Sequence, residues 1–222
     1  MRYFRDPIAD LALEPGISFR ETSRRSPKRL AKASIDFAAA LLALALFSPL
    51  LILVAMLIKL DSPGPVFFKQ TRVGVNGTRF KILKFRTMRT LDDGAEVRQA
   101  TKNDNRITRI GRWLRASSVD ELPQLINVLR GEMAIVGPRP HAVAHNNQYE
   151  PVIAEYAKRH QVKPGITGWA QVCGYRGETP NDELMRRRVE HDLWYIENWS
   201  LALDTVIVAR TVWAVARPTN AY

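Results

Sequence analysis

The sequence predicts an α+β, mainly helical protein with a re-entrant membrane helix broken at Ser48-Pro49, a small β-hairpin and amphipathic helices at a membrane interface. Three observations predict it. Ile35 to Ile58 is an almost unbroken apolar run, Asn76-Gly77 separates two extended segments, and the chain beyond residue 105 alternates helical patterns with turn signals. The 222 residues suffice for one domain plus appendages, and 46% hydrophobic content can bury a core.

Lys and Arg outnumber Asp and Glu by 33 to 22, a formal net charge of +11, which points to a polyanionic partner. Nucleic acid, anionic lipid and phosphorylated small molecules all satisfy that charge. No helix-turn-helix, zinc or aromatic RNA-binding signature is present, so no nucleic acid is expected. The single cysteine, Cys173, excludes an intramolecular disulfide, and most of the chain is expected to face a reducing cytosol.

Residues 1–27 mix charges with Pro7, Pro15, Gly16 and Pro27 and read as a tail. The membrane segment occupies 28–60. Its apolar run begins too far from Met1 and is too long for a cleaved signal peptide, so it is expected to stay in the mature protein. On length alone it can cross a bilayer, which takes roughly 20 apolar residues. Arg24, Arg25, Lys28, Arg29 and Lys32 precede it and a basic remainder follows, so a simple span would carry positive charge across the membrane. Pro49 removes a helix hydrogen bond at mid-length, and the neighbouring Ser48 hydroxyl can serve a freed carbonyl. A kinked segment that enters and leaves by one face satisfies both features; an ordinary span and a buried core helix are the alternatives.

Residues 61–222 form the remainder. Asp61-Ser62-Pro63-Gly64-Pro65 is a turn, and Val66–Val75 and Thr78–Met88 are expected to pair across Asn76-Gly77, the commonest two-residue hairpin turn. Alternation through Lys81, Leu83 and Phe85 places Lys84 and Arg86 together on the opposite face. After a polar stretch from Leu91 to Asn105, helices are expected over Ile107–Arg115 and Leu122–Arg130, the second ending at Gly131. Gly137-Pro138-Arg139-Pro140 is irregular, Ala144–His160 is amphipathic, and Lys163-Pro164-Gly165 turns the chain. Asn181–Glu197 is a charged helix, and Ser200 caps a last helix bearing Trp213. Tryptophans beside aliphatics and Arg210 suit a membrane interface; packing on the domain core suits them equally.

The densest signal is Ser117 to Leu125. Ser118 and Glu121 have capping-box spacing, while Pro123 favours a helix start at Leu122; either choice holds Asp120 and Glu121 at a helix N-terminus. From the residues alone the pair is equally a cap and a reaction centre. An ionised Asp is a competent nucleophile toward phosphorus if a cation cancels the repulsion between anions, and Mg2+ on hard oxygens fits. Arg109, Arg112 and Arg115 run at helical spacing just upstream, and Lys84, Arg86 and Arg139 are further candidates to hold phosphate oxygens; a solvated face is the bland alternative.

Four ordered motifs carry a resemblance: Lys84-Phe85-Arg86-Thr87-Met88, Asp120-Glu121-Leu122-Pro123-Gln124-Leu125, Val136-Gly137-Pro138-Arg139-Pro140, and Lys163-Pro164-Gly165-Ile166-Thr167-Gly168-Trp169. From about Lys28 onward the chain resembles the bacterial sugar transferase family, the monotopic polyprenyl-phosphate phosphoglycosyl transferases, including the Ser48-Pro49 break. The resemblance implies a two-step displacement. Asp120 would attack the sugar-bound phosphate of a UDP-sugar, release UMP and carry a covalent phosphosugar that undecaprenyl phosphate then attacks. Glu121 would complete the dyad and share Mg2+ with Asp120, and Lys84, Arg86, Arg112, Arg115, Pro138, Arg139 and Pro140 would line the substrates. It further implies a bacterial inner-membrane location, with 61–222 as the cytosolic, membrane-associated catalytic domain, membrane lipid as a partner and a second copy of the chain as a candidate one.

Gly174-Tyr175-Arg176-Gly177-Glu178-Thr179, Arg188-Val189-Glu190 and Tyr195-Ile196-Glu197-Asn198-Trp199-Ser200 look most like members that begin exopolysaccharides by transferring glucose 1-phosphate, with galactose 1-phosphate the nearest competitor. Many such members carry extra N-terminal membrane helices, and this chain resembles a minimal form. The rival readings are a non-catalytic basic membrane-surface protein, which makes no use of the Asp-Glu pair, and direct transfer in a ternary complex with a carboxylate as base.

Overall fold

A computed structural model describes residues 27–89, 101, 104–177 and 181–216; nearly all of the expected tail and most of the polar stretch 91–105 lie outside them. Helix α1 spans Pro27–Asp61. It continues through Ser48 and Pro49, so the expected break is a lost hydrogen bond rather than an end of helix. Ala45 O, four residues before the proline and deprived of its main-chain donor, accepts instead from the Ser48 hydroxyl at 2.9 Å.

Only 11% of the most apolar window of α1 is buried, which rules out the core-helix alternative. Leu41, Leu42, Leu46, Ile52 and Met56 all lie exposed around its middle. The two ends, by contrast, are fastened. Near the start, Lys32 Nζ pairs with Asp204 Oδ2 at 2.6 Å, and at the finish Asp61 Oδ2 accepts from Ile110 N at 3.2 Å. The 35 residues between Pro27 and Asp61 represent about 50 Å of helix, yet both ends meet the same folded body.

Strands β1 (Phe67–Val73) and β2 (Arg79–Phe85) pair antiparallel, with Phe67 opposite Phe85 and Val73 opposite Arg79. Asn76 (φ 54, ψ 31) and Gly77 (φ 77) both take positive φ, as a type I′ turn demands, and Thr78 N closes it on Val75 O at 3.2 Å. Both arms are shorter than expected, because pairing gives way to the turn after Val73. Lys84 and Arg86 are not brought together either: β2 ends at Phe85, the Lys84 amine goes to Glu121 and the Arg86 guanidinium to Ser62 O.

Helix α2 (Arg109–Ser117) is capped by Thr108, whose hydroxyl accepts from Gly111 N at 3.0 Å. A 3-10 turn over Val119–Glu121 leads to α3 (Gln124–Leu129), which stops at Gly131 in the left-handed region (φ 74). Phe80 and Ile82 of β2 pack with Leu125 and Val128 of α3 against Ala40, while Phe85 and Leu114 pack against Val54 and Ile58. Both halves of α1 therefore seat on one small body. A side chain as buried as Leu114, at 0% exposure, contributes about 1.5–3 kcal/mol.

Strands β3 (Ala134–Val136) and β4 (Gly165–Thr167) pair in parallel, where the sequence shows only a turn around Gly165. The amphipathic stretch expected over 144–160 splits at Pro151, which cannot continue a helix, into α4 (Val143–Tyr149) and a 3-10 turn over Tyr156–Gln161. A short α5 (Trp169–Val172) precedes α6 (Asp182–Glu197), capped by Asn181, and α7 (Leu201–Ala216), whose Leu203 N donates to Ser200 Oγ at 3.1 Å. Trp169, Tyr195, Trp199, Leu203 and Ile207 form their shared core, while Val206, Val212 and Trp213 of α7 face outward.

Candidate active site

Asp120 and Glu121 sit on the 3-10 turn between α2 and α3. The capping box is absent. Glu121 N–H donates to the main-chain oxygen of Ser118 (3.2 Å), and the Ser118 hydroxyl accepts from Arg176 Nη2 (2.7 Å). Ser118 is left-handed (φ 60), which ends α2 and turns both carboxylates inward. They are 9% and 8% exposed, far too buried for a surface cap.

Their surroundings differ. Glu121 is pinned: Lys84 Nζ reaches Oε1 at 2.8 Å, and Arg139 forks both oxygens, at 2.6 Å to Oε1 and 3.2 Å to Oε2. Burial alone would raise its pKa, but Arg139 and Lys84 outweigh that and hold it well below the usual range. Among the described residues none hydrogen-bonds or ion-pairs with the Asp120 carboxylate. Burial, then the charge of Glu121, push Asp120 up to about 6, against the pull of Lys84, Arg115 and Arg139. One carboxylate is thus fixed as an anion, and its neighbour, equally buried, has no hydrogen-bonding or ion-paired partner among the described residues.

Each cation arrives by a local device. Lys84 shares a pleat face with the buried Phe80 and Ile82, which turns its amine toward the carboxylates, and burial lowers its pKa. Arg115 Nε donates to Thr87 Oγ1 at 2.9 Å, because Gly111 lets α2 lie on the strand exit: a Cβ there would stand 2.1 Å from Thr87 O. Arg139 is carried by a loop whose neighbours are brackets. Pro138 and Pro140 are buried, Pro138 O accepts from Gly165 N (2.9 Å) and Pro140 O from Arg72 Nη1 (3.0 Å). The glycines of two motifs cross beneath it, since a Cβ on Gly165 would stand 2.1 Å from Gly137 N and one on Gly168 2.3 Å from Gly137 O.

Two expected site residues lie elsewhere. Arg86, 2% exposed, gives its guanidinium to the carbonyls of Ile58, Ser62 and Pro63, so it fastens the exit of α1. Arg112 lies exposed on α2 beside exposed Arg109, whereas Arg115, one turn on, is half-buried. Two residues not singled out as site residues join the centre. Arg176 holds Ser118 and helps keep Glu121 ionised. Gln124, 1% exposed, stands one turn after Asp120 with its amide nitrogen unpartnered among the described residues. Both stand inside sequence motifs, but neither position by itself marks a site residue, and Gln124 reads locally as an ordinary helix residue.

The donor set is compatible with Mg2+, which takes one or two hard carboxylates and completes its shell with water and phosphate. Asp120 supplies an unengaged carboxylate and Glu121 a second; among the described residues no group of three or more acidic, His or Cys side chains forms a fuller cage.

A buried carboxylate ringed by cations, in a body fastened to a helix long and apolar enough to cross a membrane, fits an enzyme that acts on anionic substrates. Comparison with known proteins narrows this. Residues 27–218 match the family described as bacterial sugar transferase, and the chain belongs to that family. It is 56% identical over 193 residues to the UDP-glucose:undecaprenyl-phosphate glucose-1-phosphate transferase of Caulobacter vibrioides, covering 87% of this chain and 72% of that one. The protein of the same name in Escherichia coli strain K12 is 52% identical, covering 89% of this chain and 43% of the relative. The exopolysaccharide production protein PSS of Rhizobium leguminosarum bv. phaseoli is 51% identical, covering 82% and 92%. The chain is therefore similar to short and long relatives alike, and is a transferase.

Proposed function

We propose that this chain moves glucose 1-phosphate from UDP-glucose to undecaprenyl phosphate, releasing UMP, as the first membrane step of exopolysaccharide synthesis. The unequal pair is the observation that carries the mechanism. An Asp120 oxygen attacks the sugar-bound phosphorus, the bond from that phosphorus to the UMP oxygen breaks, and the sugar phosphate stays on the carboxylate. An oxygen of the lipid phosphate then attacks the same phosphorus and releases Asp120. Glu121, fixed as an anion, orders Lys84 and Arg139 beside the reacting phosphate, and Arg115 adds charge that offsets the developing oxyanions. Mg2+ held by Asp120 and Glu121 would neutralise the diphosphate. Glucose is preferred to galactose because the relatives in C. vibrioides and E. coli are named for glucose 1-phosphate transfer.

The same reading makes α1 re-entrant from the cytosolic face of the inner membrane. Its support is the fastening of both ends to one body and the basic residues on both flanks. The test of the chemistry uses purified protein, UDP-glucose, Mg2+ and undecaprenyl phosphate. Wild type is expected to release UMP and, without lipid, to gain the mass of a hexose phosphate on Asp120. Asp120→Asn is expected to do neither while still sedimenting with membranes. Turnover by that variant, or absence of adduct in a single turnover, would exclude the covalent route. For topology, cysteines at Ser23 and Pro65, with Cys173 replaced by Ser, are expected to label from one side; labelling from opposite sides means a span.

A further inference from the structure

The loop that presents Arg139 has few means to position itself. Two of its residues, Pro138 and Pro140, lack an N–H, and it follows a strand only three residues long. Its carbonyls are held from outside, and that of Arg139 is held by a buried side chain. Arg159 Nη2 donates to Arg139 O at 2.7 Å and to Asp192 Oδ2 of α6 at 2.6 Å. The Arg159 and Asp192 side chains are each 2% exposed. Arg159 Nη1 also meets the His141 ring and, at 3.4 Å, Tyr156 OH, which donates to Asn146 Oδ1 at 2.8 Å.

Such a pair is a poor way to add stability, because desolvating two charges offsets most of their attraction and an apolar pair does as well. Its geometry does something an apolar pair cannot: one planar guanidinium spans from α6 to the main chain of the residue whose side chain forks Glu121. We propose that Arg159, oriented by Asp192, is a positioning residue that holds the main chain of Arg139 so that its guanidinium stays registered on Glu121. Neither residue is among the groups at the carboxylate pair, and on this proposal both reach it through the loop that carries Arg139. The inference rests on the transfer reading for its kinetic consequence but not for its structural one.

The test uses the full-length protein and Arg159→Lys, which keeps the charge for Asp192 but loses the planar fork. Hydrogen exchange of the peptide covering 137–141 is expected to quicken, with β1, β2 and α3 peptides unchanged. UMP release is expected to fall between about 10-fold and 100-fold in kcat with little change in KM. In an Arg139→Ala background the same change is expected to cost almost nothing further, because both residues act through one contact. Asp192→Asn serves as a second variant if Arg159→Lys does not fold. Unchanged exchange at 137–141, a loss that adds fully to that of Arg139→Ala, or global loss of protection in both variants would each overturn the proposal. Local loosening in a protein whose wild type releases no UMP from UDP-glucose would uphold the positioning role and remove the transfer reading instead.

Discussion

Two adjacent carboxylates with the same burial carry opposite electrostatic assignments, and stability should report the difference. Glu121 ionises more readily folded than unfolded, so it contributes stability above its ordinary 4.5 that is lost as pH falls through its lower folded pKa. Asp120 is the reverse: its contribution is full below 3.8, disappears as pH rises through about 6, and leaves an ionised, buried and unengaged group at neutral pH. Asp120→Asn should therefore raise the melting temperature at pH 7, by a free energy on the order of a few kcal/mol, and give no gain below pH 3.8. Glu121→Gln should lower it, because Lys84 and Arg139 lose their buried partner, at a cost of about 3–5 kcal/mol. Thermal unfolding of both variants at pH 7 checks the pair of signs. If Asp120 attacks as the anion, UMP release should also fall below about pH 6, read as the acid limb of kcat/KM. The carboxylates were legible in the sequence because they are adjacent; their inequality was not, since it is imposed by Lys84 and Arg139, 37 and 18 residues from Glu121. Arg86 misled for a local reason: alternation assigns its face correctly only while the strand lasts, and β2 ends one residue earlier.

Elements were legible wherever their ends are chemically marked. Asn76-Gly77, Asn181, Ser200 and Gly131 each do in the structure what their side chains or backbone freedom imply. Strands β3 and β4 were not, because three residues are too few to show a period and a parallel pair has no local turn between its partners. The surviving trace of that pairing is its glycines. Gly165→Ala places a methyl 2.1 Å from Gly137 N, which must separate the strands and shift the loop bearing Arg139. It should cost about 1–3 kcal/mol of stability and reduce UMP release by more than that loss of folded protein explains. Denaturant titration beside kcat on the folded fraction separates the two effects.

At the scale of the molecule, composition and the flanking charges announced a basic body attached to an apolar helix, but not how the attachment is made. The fastening at the start of α1 involves a cluster no local pattern reveals: Asp204 accepts from Lys32, from Tyr195 OH at 2.7 Å and from Trp199 Nε1 at 3.1 Å. Asp204→Ala should therefore unseat α1 from α7, leaving Lys32, among the described residues, with only Asp36, 3.4 Å away. A loss of about 3–5 kcal/mol is expected, and faster proteolysis near residue 32 in bilayer-embedded protein should accompany it. Limited digestion followed by mass analysis checks that outcome.

The same clasp has a meaning in time. Lys32 and Asp204 are 172 residues apart, so a ribosome adding about 5–20 residues per second completes the first roughly ten seconds or more before it delivers the second. Throughout that interval Lys32 lacks its partner on α7. Pro49 and the Ser48 hydroxyl are in place within the helix before that bond can form, so on the re-entrant proposal any bend at Pro49 is set by local chemistry and the Lys32–Asp204 pair closes on it afterwards.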